Sequence, residues 1–105
     1  SVHHFQRSGD VPVGVVFNII QYAAFTMMIA QVTGYTPKEL VYTISDAHIY
    51  ESQFEHVKQL LEREPKPFPT MYLDSSVTDM LDFRPDHFTV ADYNAHEAMV
   101  IPTPV

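Results

Sequence analysis

The segment from Ile19 to Gln31 constrains the fold more than any other part of the sequence. Its apolar residues recur at helical spacing and occupy nearly every face of the predicted helix. A helix that is apolar on all sides has to be covered by several other elements. We therefore expect one central, buried helix, with Gly34 as the left-handed residue that ends it.

The wider apolar run from Val11 to Ala30 is interrupted by Asn18, Gln21 and several small or polar residues. This interruption argues against a membrane span, and the residues before the run do not form a basic leader with a cleavable site. We expect a cytoplasmic protein with no membrane partner.

Composition narrows the function classes further. The chain has 105 residues, enough for one domain with a core, and a formal net charge of -7 from 6 basic and 13 acidic residues. This charge would repel a nucleic-acid backbone, so no nucleic-acid partner is expected. The sequence contains no cysteine. A disulfide, a zinc–thiolate site and a thiol nucleophile are therefore excluded within these 105 residues.

The remaining elements alternate between strands and helices, which predicts an α/β or α+β fold built in layers. Residues 1–8 are β-prone, begin without methionine and are expected to continue from something upstream. They lead into a predicted loop from Gly9 to Val16. The later patterns predict a capped helical turn at 36–40, a strand at 40–50, and a helix capped by Ser52 and Glu55 that ends at the prolines of 63–69. Strands are expected at 70–73 and 87–93, with a capped helical turn near 76–81.

Arg7 and Ser8 stand where the first strand meets a glycine-containing turn. A guanidinium, a hydroxyl and backbone N–H groups can converge there on the oxygens of a phosphate. An ordinary ion pair between Arg7 and Asp10 is the alternative, and the spacing alone favours it. Asp10 and Asn18 also have structural alternatives, as a turn residue and as the N-cap of the following helix.

Asp46, His48 and Tyr50 form a polar row on one face of an otherwise apolar strand. Such a row has to meet either water or a polar ligand. An exposed strand end is the alternative to a binding site. The histidines of the chain lack the spacing of metal ligands, so no metal site is predicted.

Four stretches together resemble the C-terminal part of thymidylate synthase: QRSGDVPVGVVFNI, DAHIY, REPKP and LDFRPDHFTVADYNAH. The resemblance covers nearly the whole chain, and the Arg-Ser-x-Asp…Phe-Asn motif joined to Asp-x-His-x-Tyr is highly specific. It implies a thymidylate-synthase-like mixed sheet with one central buried helix. Residues 1–105 would be the C-terminal portion of that domain, without its N-terminal half.

The resemblance also implies roles for the first loop. Arg7 and Ser8 would bind the 5′-phosphate of dUMP, and Gln6 would support this loop from behind. Asp10 would face the folate, 5,10-methylenetetrahydrofolate, and help to orient the reacting groups. No metal is implied.

Asn18 would read the edge of the uracil. An asparagine amide can donate to O4 and accept from N3–H at once, whereas an aspartate in this place, as in the related deoxycytidylate hydroxymethylases, suits cytosine. His48 and Tyr50 would bind the 3′-hydroxyl of the deoxyribose. A pyrimidine nucleotide hydroxymethylase is the alternative enzyme, and a non-catalytic nucleotide-binding or assembly module is the alternative outside catalysis.

The reaction of the family is a reductive methylation. A cysteine thiolate adds to C6 of dUMP and makes C5 nucleophilic toward the carbon carried by the folate, which also donates hydride. That cysteine, a glutamate that organises proton transfer and the arginines lent across the dimer would all lie before Ser1. We therefore expect a homodimer or larger assembly, and an inactive chain when it is isolated.

Some positions depart from the family pattern. Val16 replaces a proline, residues 44–45 replace a Gly-Gly pair, and Ser52 replaces an asparagine. The tail at 102–105 contains two prolines, which should stiffen the segment that closes over the ligands in the family.

Overall fold

The computed structural model describes residues 1–104 and confirms a mixed α/β fold. Its helices and strands are β1 (Val2–Asp10), α1 (Gly14–Thr33), β2 (Leu40–His48), α2 (Phe54–Glu62), β3 (Thr70–Leu73) and β4 (Phe88–Ala91). Short 3₁₀ turns lie at Glu51–Gln53, Met80–Asp82 and Pro85–His87.

β1 and β2 pair in parallel, and α1 connects them. Parallel strands need a long crossover, which the 20 residues of α1 supply. The predicted loop from Gly9 to Val16 is wrong in extent, since only residues 11–13 separate β1 from α1. The reason is that Gly9 and Asp10 remain paired with β2, and the Val11 amide still donates to the His48 carbonyl at 3.0 Å.

Gly9 allows β1 to end against the first turn of α1. It is buried, and a Cβ atom at this position would meet Val15 Cγ2 at 2.7 Å and Gln6 Nε2 at 3.2 Å. Real Cβ atoms do not approach their neighbours at 2.7 Å. The missing side chain therefore brings the end of the strand and the start of the helix together, where the candidate site lies.

α1 begins at Gly14, so Asn18 lies in its second turn. The alternative that Asn18 is the N-cap of this helix is therefore wrong. The end of the helix is confirmed, because Gly34 adopts a left-handed conformation with φ of 78° and its amide donates to the carbonyls of the last turn.

The helix is central, as predicted, but this chain alone covers little of it. α1 contacts β1, β2 and β3, yet Phe17 and Ile20 are 69% and 54% exposed. The accessible surface is 8004 Å², whereas a compact monomer of 12.0 kDa exposes roughly 6,000 Å². The radius of gyration is 16.0 Å, against about 13 Å for a compact domain of this length. Large apolar surfaces therefore remain uncovered.

By length and composition alone, α1 could also cross a bilayer. Core helices of soluble domains and signal sequences meet the same criterion. The property therefore does not separate a membrane helix from a core helix.

β3 and β4 confirm the strands predicted at 70–73 and 87–93. They pair antiparallel, from Thr70 opposite Ala91 to Leu73 opposite Phe88, in a sheet separate from β1 and β2. Gln31 near the end of α1 fixes the segment that follows β3. Its Nε2 group donates to the carbonyls of Asp74 and Val77 at 2.9 and 2.8 Å.

The predicted helical turn at 36–40 is wrong. Residues 35–39 have no helical conformation, and the Val2 amide donates to the Glu39 carbonyl at 3.1 Å. This hydrogen bond draws the segment alongside β1, so that the chain enters β2 directly. The helical turn predicted near 76–81 is shifted, because Asp79 caps the turn Met80–Asp82.

The helix after β2 is confirmed, but its predicted cap is not. α2 begins at Phe54 with no side-chain cap, and the capping contact at this corner belongs to the preceding turn, Glu51–Gln53. Gln53 Oε1 accepts a hydrogen bond from the Tyr50 amide at 2.9 Å. The capping side chain at the end of β2 is therefore Gln53, which the sequence pattern did not predict.

Candidate functional site

The candidate site lies where β1 and β2 end beside the first turns of α1. Parallel strands carry their carboxyl ends at one edge of the sheet, which is where α/β folds place their ligands. Ser8 is paired with Asp46 and Asp10 with His48 in the register. The Ser8 hydroxyl donates to Asp46 Oδ2 at 3.5 Å, which joins the two motifs. Residues 38 positions apart in sequence thus form one surface.

Gln6 is the centre of a hydrogen-bonded group at this edge. Its Nε2 group donates to the Ser8 carbonyl at 2.7 Å and to Asn18 Oδ1 at 3.2 Å. Its Oε1 atom accepts a hydrogen bond from the Tyr42 hydroxyl. These three hydrogen bonds are compatible with only one orientation of the Gln6 amide. Gln6 therefore contacts both Ser8 and Asn18.

The contact with Gln6 also orients Asn18. Because Oδ1 accepts from Gln6 Nε2, the Asn18 amide has a defined direction, and its NH₂ group points away from Gln6. One lone pair of Oδ1 is used by Gln6, and the oxygen has a second. Asn18 can thus present a donor and an acceptor side by side to a planar amide edge.

Tyr42 lies beneath this group in a cluster of rings. His4 stacks on Tyr22 at a centroid distance of 3.7 Å, and its distance to the Tyr42 ring is 4.8 Å. Burial raises the pKa of the Tyr42 hydroxyl, and the neighbouring Tyr22 hydroxyl adds to the increase. Tyr42 therefore stays protonated and remains a hydrogen-bond donor to Gln6 at neutral pH.

Asp10 is held by a residue that sequence reasoning missed. The Gln53 Nε2 group lies 3.2 and 3.3 Å from the two oxygens of the Asp10 carboxylate, and 2.7 Å from the Pro102 carbonyl. Gln53 is completely buried. The only available signal was a glutamine three residues after Tyr50, which can serve as the third residue of a capping box. Sequence reasoning also missed Tyr42, which alternation places on the same face of β2 as Asp46 and His48.

The polar row predicted on β2 is brought together. His48 Nδ1 lies 3.5 Å from Asp46 Oδ1, and the His48 and Tyr50 rings meet edge to face at 5.2 Å. His48 is half-buried, whereas Asp46 and Tyr50 are exposed. The row therefore forms a partly open wall beside Ser8 and Asp10.

Arg7 is exposed on β1. The predicted alternative, an ion pair with Asp10, is not formed, because alternation places Arg7 and Asp10 on opposite faces of β1. Within residues 1–104, the guanidinium makes no ion pair or hydrogen bond. The group can therefore receive an anion. In the same described range, no three acidic or histidine side chains are clustered as metal ligands.

Comparison with known proteins agrees with this arrangement. The family model for thymidylate synthase matches residues 1–105. Among solved structures, the chain is similar to the thermostable thymidylate synthase A from Bacillus subtilis, with a TM-score of 0.90 and 33% sequence identity. The match covers 94% of this chain and 36% of that enzyme, so the chain spans about a third of its length. The full-length family match and the agreement in fold together mean that the chain belongs to the thymidylate synthase family.

Proposed function

We propose that this chain provides the nucleotide-binding part of a thymidylate synthase, which converts dUMP to dTMP by reductive methylation. The observation that carries this proposal is the hydrogen bond from Gln6 to Asn18. It fixes the Asn18 amide in a direction that suits the N3–H donor and the O4 acceptor of uracil. Cytosine presents the opposite pattern on this edge, so the site favours a uracil nucleotide over the substrate of a hydroxymethylase.

The rest of the nucleotide follows from the neighbouring residues. Arg7 and Ser8 bind the 5′-phosphate, because a free guanidinium and a hydroxyl can both contact its oxygens. His48 and Tyr50 bind the 3′-hydroxyl of the deoxyribose from the wall formed by β2. Support comes from the paired positions of Ser8 and Asp46, which bring these two groups to one edge of the sheet.

Asp10 faces the co-substrate, 5,10-methylenetetrahydrofolate. Among residues 1–104, the half-buried Asp10 carboxylate receives one side-chain donor group, from Gln53, which leaves lone pairs that can accept N–H groups of a pterin ring. The folate supplies the one-carbon unit and the hydride. The contribution of this chain is to bind and orient both substrates.

The nucleophile has to come from outside these residues, because the sequence contains no cysteine. We expect the isolated 105-residue chain to form no dTMP. Release of tritium from C5-labelled dUMP in the presence of methylenetetrahydrofolate measures this directly. Turnover above a blank without protein would contradict the expectation.

The assembly is a homodimer or larger, in the cytoplasm, with α1 as a core helix. The support is the exposed apolar surface of α1, which exceeds what a stable monomer usually leaves in water. The excess of roughly 2,000 Å² over a compact monomer is more than one partner contributes to a standard interface, about 800 Å². A partner subunit and further segments of the same fold can both cover it.

The experiment that tests the function uses the full-length natural protein and compares dUMP and dCMP binding by calorimetry in Asn18→Asp and in the matched variant Asn94→Asp. Asn94 is exposed and lies outside the site. Asn18→Asp loses the donor to O4, so dUMP affinity should fall about 10- to 100-fold, as for a lost buried hydrogen bond. The preference should move toward dCMP, and Asn94→Asp should change neither affinity. Equal losses in the two variants would refute the assignment.

Arg7 provides a second measurement. In the isolated chain, dUMP affinity should be no tighter than about millimolar, roughly -4 kcal/mol, and Arg7→Ala should remove most of it. Micromolar binding by the isolated chain, or binding that is unchanged in Arg7→Ala, would show that the phosphate role is wrong.

A further inference from the structure

Gln53 joins three separate parts of the chain at one buried amide. It follows β2 in the turn Glu51–Gln53, and none of its surface is exposed. Its Oε1 atom accepts from the Tyr50 amide at 2.9 Å. Its Nε2 group donates to the Asp10 carboxylate at 3.2 to 3.3 Å and to the Pro102 carbonyl at 2.7 Å. The end of β1, the end of β2 and the C-terminal segment therefore share one side chain.

The orientation of this amide is determined by its partners. The Tyr50 N–H is a donor and needs the amide oxygen, whereas Asp10 and Pro102 offer only acceptors and need the amide NH₂. Turning the amide by 180° would place an oxygen against a carboxylate and a carbonyl, and an NH₂ group against an N–H. Both N–H donors and the carbonyl of Gln53 are thus used, as a buried polar side chain requires.

The C-terminal segment reaches Gln53 along the start of α1. Met99 and Ile101 border a groove together with Pro12 and Phe17. The groove places this segment beside the start of α1, and Pro102 follows at the edge where Gln53 meets Asp10. The Pro102 carbonyl is the polar contact that fixes the segment to Gln53.

We propose that Gln53 is a positioning residue that holds the Asp10 carboxylate in one orientation and couples it to the position of the C-terminal segment at Pro102. Gln53 acts through Asp10 and does not contact the substrates. Because one NH₂ group serves both acceptors, a movement of Pro102 changes the hydrogen bonding of Asp10, and the reverse. The effect on the reaction rests on the proposed function, in which Asp10 faces the folate, but the link between Gln53 and Pro102 does not.

The test uses Gln53→Met in the full-length natural protein, with Gln59→Met as the matched control. Methionine keeps the length of the side chain but removes all three hydrogen bonds. Gln59 lies on α2 and is exposed, so the same exchange there leaves the network intact. Hydrogen exchange of the amides in 99–103, measured by mass spectrometry, should become roughly 3- to 10-fold faster in Gln53→Met, as expected when one hydrogen bond is lost. The control should exchange like the natural protein.

Kinetics separate positioning from a general loss of structure. Gln53→Met should raise KM for the folate about 10-fold while the Kd for dUMP stays within about 2-fold. An equal loss for both substrates would show a structural role alone and would overturn the proposal. If the natural protein binds neither substrate, the proposed function fails, but the exchange of 99–103 still decides the link to Pro102.

A measurement on the unmodified protein covers the case in which Gln53→Met does not fold. In nuclear magnetic resonance spectra, the two side-chain NH₂ protons of Gln53 should exchange with solvent much more slowly than those of Gln59. The reason is that both protons of Gln53 are buried and hydrogen-bonded, whereas Gln59 is exposed. Exchange as fast as at Gln59, or segment 99–103 unaffected in a folded Gln53→Met variant, would refute the coupling.

Discussion

Tyr42→Phe tests the hydrogen bonds that orient Asn18. The change removes only the hydroxyl that donates to Gln6 Oε1 and keeps the ring beside His4 and Tyr22. Gln6 cannot turn to recover a partner, because its NH₂ group is held by the Ser8 carbonyl and by Asn18. The carbonyl of Gln6 therefore loses its protein partner.

The expected cost is about 1–2 kcal/mol in the free energy of unfolding. A lost hydrogen bond accounts for about 1 kcal/mol, and an acceptor left without a partner can add more. We place the value toward the lower end because Gln6 is half-buried and water can reach its oxygen. Once Gln6 is less firmly held, Asn18 loses its fixed direction, so dUMP affinity should fall by roughly 3- to 10-fold.

Urea denaturation of the full-length protein measures the stability, and calorimetry measures dUMP affinity. Tyr35→Phe is the matched control, since Tyr35 is 77% exposed. Removing its hydroxyl should change the free energy of unfolding by less than about 0.5 kcal/mol. A double-mutant cycle with Gln6→Met should return a coupling of about 1 kcal/mol. If Tyr42→Phe matches Tyr35→Phe in stability and in dUMP affinity, Tyr42 does not support Asn18 and the reasoning is refuted.

Three further predictions follow from charges and exposed surface. The pKa of Tyr42 is raised in the folded state, so its contribution to the free energy of unfolding is complete below about pH 10 and is lost as the pH rises through the folded pKa. Urea titrations in alkaline buffers should therefore show a smaller loss of stability with rising pH in Tyr42→Phe than in the natural protein. The Ser76 hydroxyl and amide lower the pKa of Asp74, so the contribution of Asp74 to stability is complete above about pH 4 and is lost as the pH falls through the folded pKa. Ser76→Ala should raise this pKa in a carbon-13 titration and make stability less dependent on acid pH. An unchanged pKa would contradict this prediction. Light scattering of the 105-residue chain over a dilution series should show dimers or larger species, and a monodisperse monomer of 12.0 kDa would mean that its apolar faces are covered within the chain.

The sequence predicted the long elements because their signals are local. Helical spacing located α1, Gly34 marked its end, and alternation located β2. The boundaries at 9–16 were missed because pairing with β2 overrides the turn preference of Gly9 and Asp10. The segment 36–40 has strong capping residues but forms no helical turn. It is held instead by the hydrogen bond from Val2, which lies on a strand distant in sequence and is not encoded by a local pattern.

The same division applies to the site. Arg7, Ser8 and Asn18 were singled out by their resemblance to the family motif, whereas their spacing alone favoured an ion pair and a helix cap. Gln53 could not be singled out, because its partners Asp10 and Pro102 are 43 and 49 positions away in sequence. Glutamine is not a residue type that indicates a binding role in a sequence. Only the three-dimensional arrangement shows which segments Gln53 connects.

The distances along the chain between site partners also affect how the protein folds. Ser8 and Asp46 are 38 residues apart, and Gln53 is farther still from both of its partners. Contacts of this kind require loop closure before they stabilise anything, whereas the turns of α1 form from neighbouring residues. During synthesis, α1 can therefore form while the site is incomplete. A chain still on the ribosome would hold helical structure well before this edge of the sheet is complete, since Gln53 and Pro102 emerge long after Asp10.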